Sequence, residues 1–325
     1  MNAALAALQR EFVEPTQDLL GDTLAGLSRT PRRLLSKYFY DARGSQLFEQ
    51  ITRQPEYYLT RVEQALLDAR LGEIADAVGP GAHVIEFGSG SGRKTRQLLA
   101  ALEAPVAYTP VEISGAALLA SVARLREEYP RVEMLPVCAD FTGAFEVPAP
   151  VPGARGRLLF FPGSTLGNFA REQAQDLLHR MRQIIGANGA VLIGIDLKKD
   201  PRILERAYND RAGVTAEFNV NALRHLNREL GTDFDLEAFE HKALWVEDQS
   251  RIEMHLVSKR EQDVHVGDET VHIGKGEHLT TEFCHKYTLE AFADLAATAG
   301  LSVSRVWMDA EKKFSVQLLE PRSLQ

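Results

Sequence analysis

Short apolar runs alternate with helically spaced ones through the middle of the chain. HVIEF (83–87), VAYTPVEIS (106–114), VEMLPVCADF (132–141), RLLFF (157–161) and AVLIGIDL (190–197) are compact runs of strand length. Between them lie GSGSGRKTRQLLAAL, which opens a helix, ALLASVARLREEY, and REQAQDLLHRMRQII closed by GANG. Five strands alternating with helices of this length predict a parallel sheet covered on both faces, an α/β fold. Residues 1–70 read as mostly helical, with amphipathic pieces at Leu5, Leu8 and Phe12 and at Leu19 and Leu20. After Leu197 the pattern changes. Residues 198–230 are polar and helical with an Asn-rich loop, and from Ala243 to Thr281 ALWVED, RIEMHLVSKR and HLTTEFCH read as antiparallel strands, with turns at Gly267, Gly274 and Gly276. TLEAFADLAATAGL is a helix, and SVSRVWMD with FSVQLLE forms a closing hairpin. No internal repeat or low-complexity tract interrupts this order.

Composition narrows the function. The chain has 325 residues, 45% of them hydrophobic, enough for one sizeable core and a smaller second one. A formal net charge of −8 speaks against a general nucleic-acid binder. No run reaches the roughly 20 apolar residues of a membrane span, and MNAALAALQREFVEP is too polar for a secretory signal. Cys138 and Cys284 lie far apart without a CxxC pattern, and the nine histidines show no ligand spacing, so no metal is expected. A cytoplasmic monomer acting on a small molecule, with no nucleic-acid or membrane partner, is the expectation.

Candidate chemistry gathers at three successive strand ends, the edge where open α/β sheets bind ligands. The first carries Glu86-Phe87-Gly88-Ser89-Gly90-Ser91-Gly92, where alternating glycines let the backbone turn sharply and approach a ligand closely. Dinucleotide-binding proteins use such turns too, but an acid two positions before the first glycine is more like the opening motif of class I methyltransferases. The second carries Glu112, placed to accept both hydroxyls of a ribose. At the third, Asp140 and Phe141 suit an adenine, the carboxylate accepting from the amine and the ring stacking on the base. Lys94 either reaches the methionine carboxylate of a cofactor or sits on a solvated helix face.

The segments KYFYDARGSQLFEQITRQPEYYLTR, EFGSGSGRKT, FFPGSTLGNF, AYNDRAGVTAEFN and RIEMHL together resemble the histidine-specific Nα-methyltransferases of ergothioneine biosynthesis, over nearly the whole chain. The resemblance implies a Rossmann-like class I methyltransferase core at 61–196 plus 286–325 and a second, α+β substrate-binding domain at 1–60 plus 197–285. It implies S-adenosylmethionine as methyl donor and trimethylation of the α-amine of histidine to the betaine hercynine. Asn168 matches an amide that holds the amino and carboxylate end, and Tyr208 a hydroxyl that binds the carboxylate. Tyr58 matches a tyrosine that reaches the substrate, with Tyr40 nearby. Met254 matches a residue packed on the imidazole, and Glu282 an acid that accepts from an imidazole N–H. The family commonly has Ser two residues beyond that acid, where this chain has Cys284, a much weaker hydrogen-bond donor. Phe283, on the opposite face of the strand, reads as core.

Methyl transfer to an amine needs a neutral lone pair in line with the methyl carbon and sulfur, so catalysis here is mainly positioning. Cys284 keeps open the same chemistry on another aromatic amino acid or a histidine derivative. A non-catalytic sensor of S-adenosylmethionine or its product is the alternative of another class, disfavoured by the retained acids and amides from Glu86 to Tyr208.

Overall fold

The computed structural model describes residues 18–90 and 92–322, so Leu5, Leu8 and Phe12 lie outside it. Three helices come first: α1 (Leu19–Leu27), α2 (Ala42–Ile51) and α3 (Leu59–Val78). The alternating region follows as β1 (Ala82–Phe87), α4 (Arg93–Ala101), β2 (Ala107–Glu112), α5 (Gly115–Glu128), β3 (Glu133–Met134), β4 (Val137–Cys138), β5 (Gly156–Phe161), α6 (Arg171–Ile185) and β6 (Ala190–Asp196). Every residue of β1 is buried, as expected of a strand with helices on both faces.

The expected third strand is broken in two. Pro136 has no N–H to give to a ladder, and the chain re-pairs with β2 on either side of it, Met134 opposite Tyr108 and Val137 opposite Val111. The closing hairpin, β12 (Leu301–Met308) and β13 (Phe314–Pro321), joins the same sheet, with β13 antiparallel to β6. The sheet order is β12-β13-β6-β5-β1-β2-β3, with β4 also on β2. Helix α9 (Leu289–Thr298) leads into β12.

Between β6 and α9 lie α7 (Pro201–Ala207), α8 (Val214–Leu230), β7 (Phe239–Val246), β8 (Arg251–Ser258), β9 (Gln262–Val266), β10 (Glu269–Ile273) and β11 (His278–His285). Strands β11-β8-β7 form a separate antiparallel sheet, and β9-β10 a hairpin turning at Gly267. The asparagines expected in a loop lie inside α8. Asn219 and Asn221 are fully buried there with partners for their amide nitrogens: Asn219 donates to the His255 carbonyl at 3.0 Å and Asn221 to Asp41 at 2.8 Å.

Apolar residues form two clusters against the large sheet, one around Phe161, Leu178 and Phe292 and one around Tyr108, Leu118 and Phe314. A third joins Phe39, Tyr57, Phe218 and Met254, between the N-terminal helices, α7, α8 and the small sheet. Among the described residues no helix is long and apolar enough to cross a membrane.

Candidate active site

The large sheet reverses its order at β1, which has β2 on one side and β5 on the other, both parallel to it. The crevice at the carboxyl ends of β1 and β5 is where such sheets hold ligands. After β1 the backbone takes positive φ at Gly88 (70°) and Gly90 (48°), a turn that L side chains strain to follow. Among the described residues nothing lies within 4 Å of where a side chain at Gly90 would begin, and Ser89 is buried beside it. Glu112 ends β2, with Oε1 accepting the Ile113 N–H at 3.0 Å. Burial raises its carboxyl above the ordinary range, while the amides of Ile113, Ser114 and Gly90 pull it back. Asp140 Oδ1 accepts from the Thr142 amide (2.8 Å) and hydroxyl (2.6 Å), which fixes the turn. Phe141 stacks on Phe87, with centroids 5.4 Å apart and planes 11° apart. An open backbone turn, a half-buried strand-end acid and an Asp–Phe pair fit an adenosine-bearing methyl donor.

Two residues expected on that donor have partners within the protein. Glu86 is buried, and its Oε2 accepts from the Thr95 and Tyr108 hydroxyls, both at 2.6 Å. Burial pushes it up to about 7. Through that oxygen it braces the glycine loop from inside the protein. Lys94, from the first turn of α4, pairs with Glu63 of α3, which is 1% exposed. That partner holds Lys94 against α3 and largely out of solvent. The other oxygen of Glu63 accepts the Gly163 N–H at 2.8 Å. One carboxylate thus ties the helix after the glycine loop to the loop after β5.

That second loop carries Asn168, one of the residues expected on the substrate. Ser164 sits at φ 58°, and its hydroxyl accepts the Asp196 N–H at 2.9 Å. The 3-10 turn Thr165–Asn168 follows, with Gly167 so close to the His285 backbone that a side chain there would begin 2.7 Å from its carbonyl oxygen. This contact brings Asn168 to β11. Its amide nitrogen donates to Glu282 at 3.3 Å, and its oxygen accepts from the Cys284 thiol at 3.7 Å. The Cys284 sulfur is also 3.5 Å from Glu282. Met254 stands directly opposite Glu282 across β8 and β11. Glu282 and Cys284 are both buried. Burial pushes Glu282 up to about 7, against the pull of the Cys284 hydrogen bond and the Lys286 charge. Burial and then Glu282 raise the Cys284 thiol, which stays a neutral S–H. Phe283 is not core: it faces the other side of β11, half-buried, with the Arg33 and Arg251 guanidiniums 4.0 and 3.6 Å from its ring centre.

The neighbouring tyrosines part company. The Tyr58 hydroxyl, expected on the substrate, is 2.9 Å from both oxygens of Asp196 and accepts from Lys199 at 2.7 Å. Tyr57, which sequence reasoning passed over, is the one turned to the cluster. Burial raises its hydroxyl well above the ordinary range, and its ring meets Tyr208 edge-on at 6.1 Å. Tyr40 stands at the rim, 45% exposed, packed edge-on against Phe48 and Phe218. The Tyr208 oxygen accepts from Lys286 at 2.9 Å. Glu63, Tyr57, Asp196 and Lys286 are therefore members of the site that the sequence reading missed.

Comparison with known proteins identifies the family. Residues 19–321 match the family described as histidine-specific methyltransferase, SAM-dependent. The histidine N-alpha-methyltransferase of Mycolicibacterium smegmatis is 41% identical over 302 residues, 91% of this chain and 93% of that one. The histidine N-alpha-methyltransferase of Mycobacterium tuberculosis is 40% identical over the same shares of both chains. Ergothioneine biosynthesis protein 1 of Neurospora crassa is 31% identical over 85% of this chain and 32% of its own. The chain belongs to the S-adenosylmethionine-dependent, histidine-specific methyltransferases.

Proposed function

We propose that the protein methylates the α-amine of free L-histidine with S-adenosylmethionine, up to the trimethylated betaine hercynine. In this reading residues 61–196 and 286–325 serve the methyl donor, and 1–60 with 197–285 the amino acid. The observation that carries it is the convergence of Asn168, Tyr208, Met254, Glu282 and Cys284 from four separate elements, joined to the glycine loop through Glu63.

When bound, S-adenosylmethionine supplies an electrophilic methyl group. The chain's own residues bind and orient the amine. Asn168 and Tyr208 grip the amino and carboxylate end, Tyr57 and Tyr40 wall the approach, and Met254 packs on the imidazole. Glu282 accepts from an imidazole N–H, giving up its long contact with Asn168. The attacking amine must be neutral, and loss of its proton to water suffices, so positioning carries the catalysis. On the donor side Glu112 holds the ribose hydroxyls, and Asp140 with Phe141 the adenine.

The test is incubation with S-adenosylmethionine and a panel of free amino acids, read as mass gains of one, two or three methyls. Histidine should gain three. Products from other amino acids alone would move the substrate, the reading that Cys284 favours. No product from any of them would leave a binding protein without catalysis.

A further inference from the structure

A buried charge cluster lies where the two sheets meet. Just past their ends, β6 and β11 run side by side, Leu197 bridging Tyr287 and the Lys198 N–H donating to the Tyr287 carbonyl at 2.9 Å. Asp196 is fully buried and Lys286 is 3% exposed. The Lys286 ammonium is 2.7 Å from Asp196 Oδ2 and donates to the Tyr208 oxygen at 2.9 Å. Lys199 takes the other oxygen of Asp196 at 2.5 Å. Two cations therefore share one buried carboxylate.

Two ammonium groups thus face one fully buried carboxylate, leaving a positive surplus in the cluster beside Tyr208, and a buried charge without its full complement is costly. Because Lys286 occupies a lone pair of the Tyr208 oxygen, the phenol's own hydrogen is left to donate to another acceptor.

We propose, resting on the histidine reading above, that Lys286 is a positioning residue that aims the Tyr208 hydroxyl at the amino acid's carboxylate and makes the site select a negatively charged carboxylate over a neutral carboxamide. The charge of the incoming carboxylate complements the surplus on Lys286, with the Tyr208 hydroxyl as the intervening contact. No proton changes owner in this arrangement. A lysine serving only to fasten the two sheets together would affect folding and leave this choice between ligands unchanged.

The experiment compares kcat and KM for L-histidine and L-histidinamide in the unaltered protein, Lys286→Met, Lys286→Gln and Lys199→Met. The unaltered protein should favour histidine at least about tenfold, as expected for a hydrogen bond backed by a charge. Lys286→Met and Lys286→Gln should shrink that preference about tenfold, through KM and not kcat. The glutamine variant retains a donor for Asp196 and serves if the methionine variant does not fold. Lys199→Met also strips a cation from Asp196 but does not touch Tyr208, so it should keep the preference. An unchanged preference in folded Lys286→Gln, or none in the unaltered protein, overturns the proposal. Methylation of neither compound by the unaltered protein overturns the histidine reading itself, and this proposal with it.

Discussion

Glu63 holds Lys94 with one carboxylate oxygen and the Gly163 amide with the other, joining the donor side of the crevice to the acceptor side. Both groups lose their partner if the carboxylate is removed. Glu63→Ala leaves a half-buried ammonium and a backbone N–H unpaired, a change that costs about 3–5 kcal/mol in comparable buried pairs. Glu63→Gln keeps an acceptor for Gly163 but sets its NH2 where Lys94 had its carboxylate oxygen, so the ion pair is lost. Its melting temperature should fall less than that of Glu63→Ala, while calorimetric affinity for S-adenosylhomocysteine falls in both, because α4 and the glycine loop lose their anchor. Equal affinity in all three proteins would show that Lys94 and its loop need no such anchor.

Tyr57 and Tyr58 give opposite expectations. Tyr58→Phe takes a hydroxyl from Asp196 and Lys199, so it should cost about 1–3 kcal/mol of stability and leave KM for histidine near its original value. Tyr57→Phe removes a hydroxyl from a ring packed edge-on against Tyr208 in the cluster that holds Met254 and Cys284, so KM should rise severalfold with the thermal midpoint held. Reversal of that pattern, with KM moved by Tyr58→Phe and stability by Tyr57→Phe, would return Tyr58 to the substrate side.

Glu282 makes stability depend on pH. Burial raises its carboxyl from 4.5 to about 7, so the folded chain binds this proton more readily than the unfolded one. The resulting stability is fully present below pH 4.5, drains away as pH rises, and is gone above about 7. The full span is on the order of 3 kcal/mol. Glu282→Gln cannot ionise. Relative to it, the unaltered protein should melt progressively lower between pH 5 and 7 and run parallel above that. A melting difference flat across this range would mean that Glu282 is ionised throughout.

Much of this was legible in the sequence, and the remainder was hidden for identifiable reasons. The five apolar runs became the parallel strands, except where Pro136 split one in two. Glu112 and Asp140 stand at strand ends, as their spacing implied. Tyr57 and Tyr58 could not be told apart because they are adjacent at the entry to a helix, where a rotation of one residue exchanges their faces. Glu63 did leave a signal: it lies on the buried stripe of α3 with Leu59, Leu66, Leu67 and Ile74, where an acid needs a partner. Lys286 left one too, continuing the alternation of Glu282 and Cys284 beyond the strand. Its partner Asp196 comes from the other sheet, and nothing local in the sequence joins them.

Cys284 offers the most direct test of how the substrate is held. Its thiol donates at 3.7 Å to the Asn168 oxygen and lies 3.5 Å from Glu282, long contacts from a weak donor. Cys284→Ser places a stronger donor between the same two acceptors, so the hydroxyl stays satisfied in its buried position. It also holds Glu282 and Asn168 in the orientation that meets the amino acid. A gain of about 1 kcal/mol, the net worth of one neutral hydrogen bond, corresponds to about fivefold. KM for histidine should fall by that factor in Cys284→Ser. Cys284→Ala, which keeps neither donor nor volume, should raise it. If serine and alanine act alike, the thiol contributes by filling space, and the hydrogen bond that orients Glu282 is the one from Asn168.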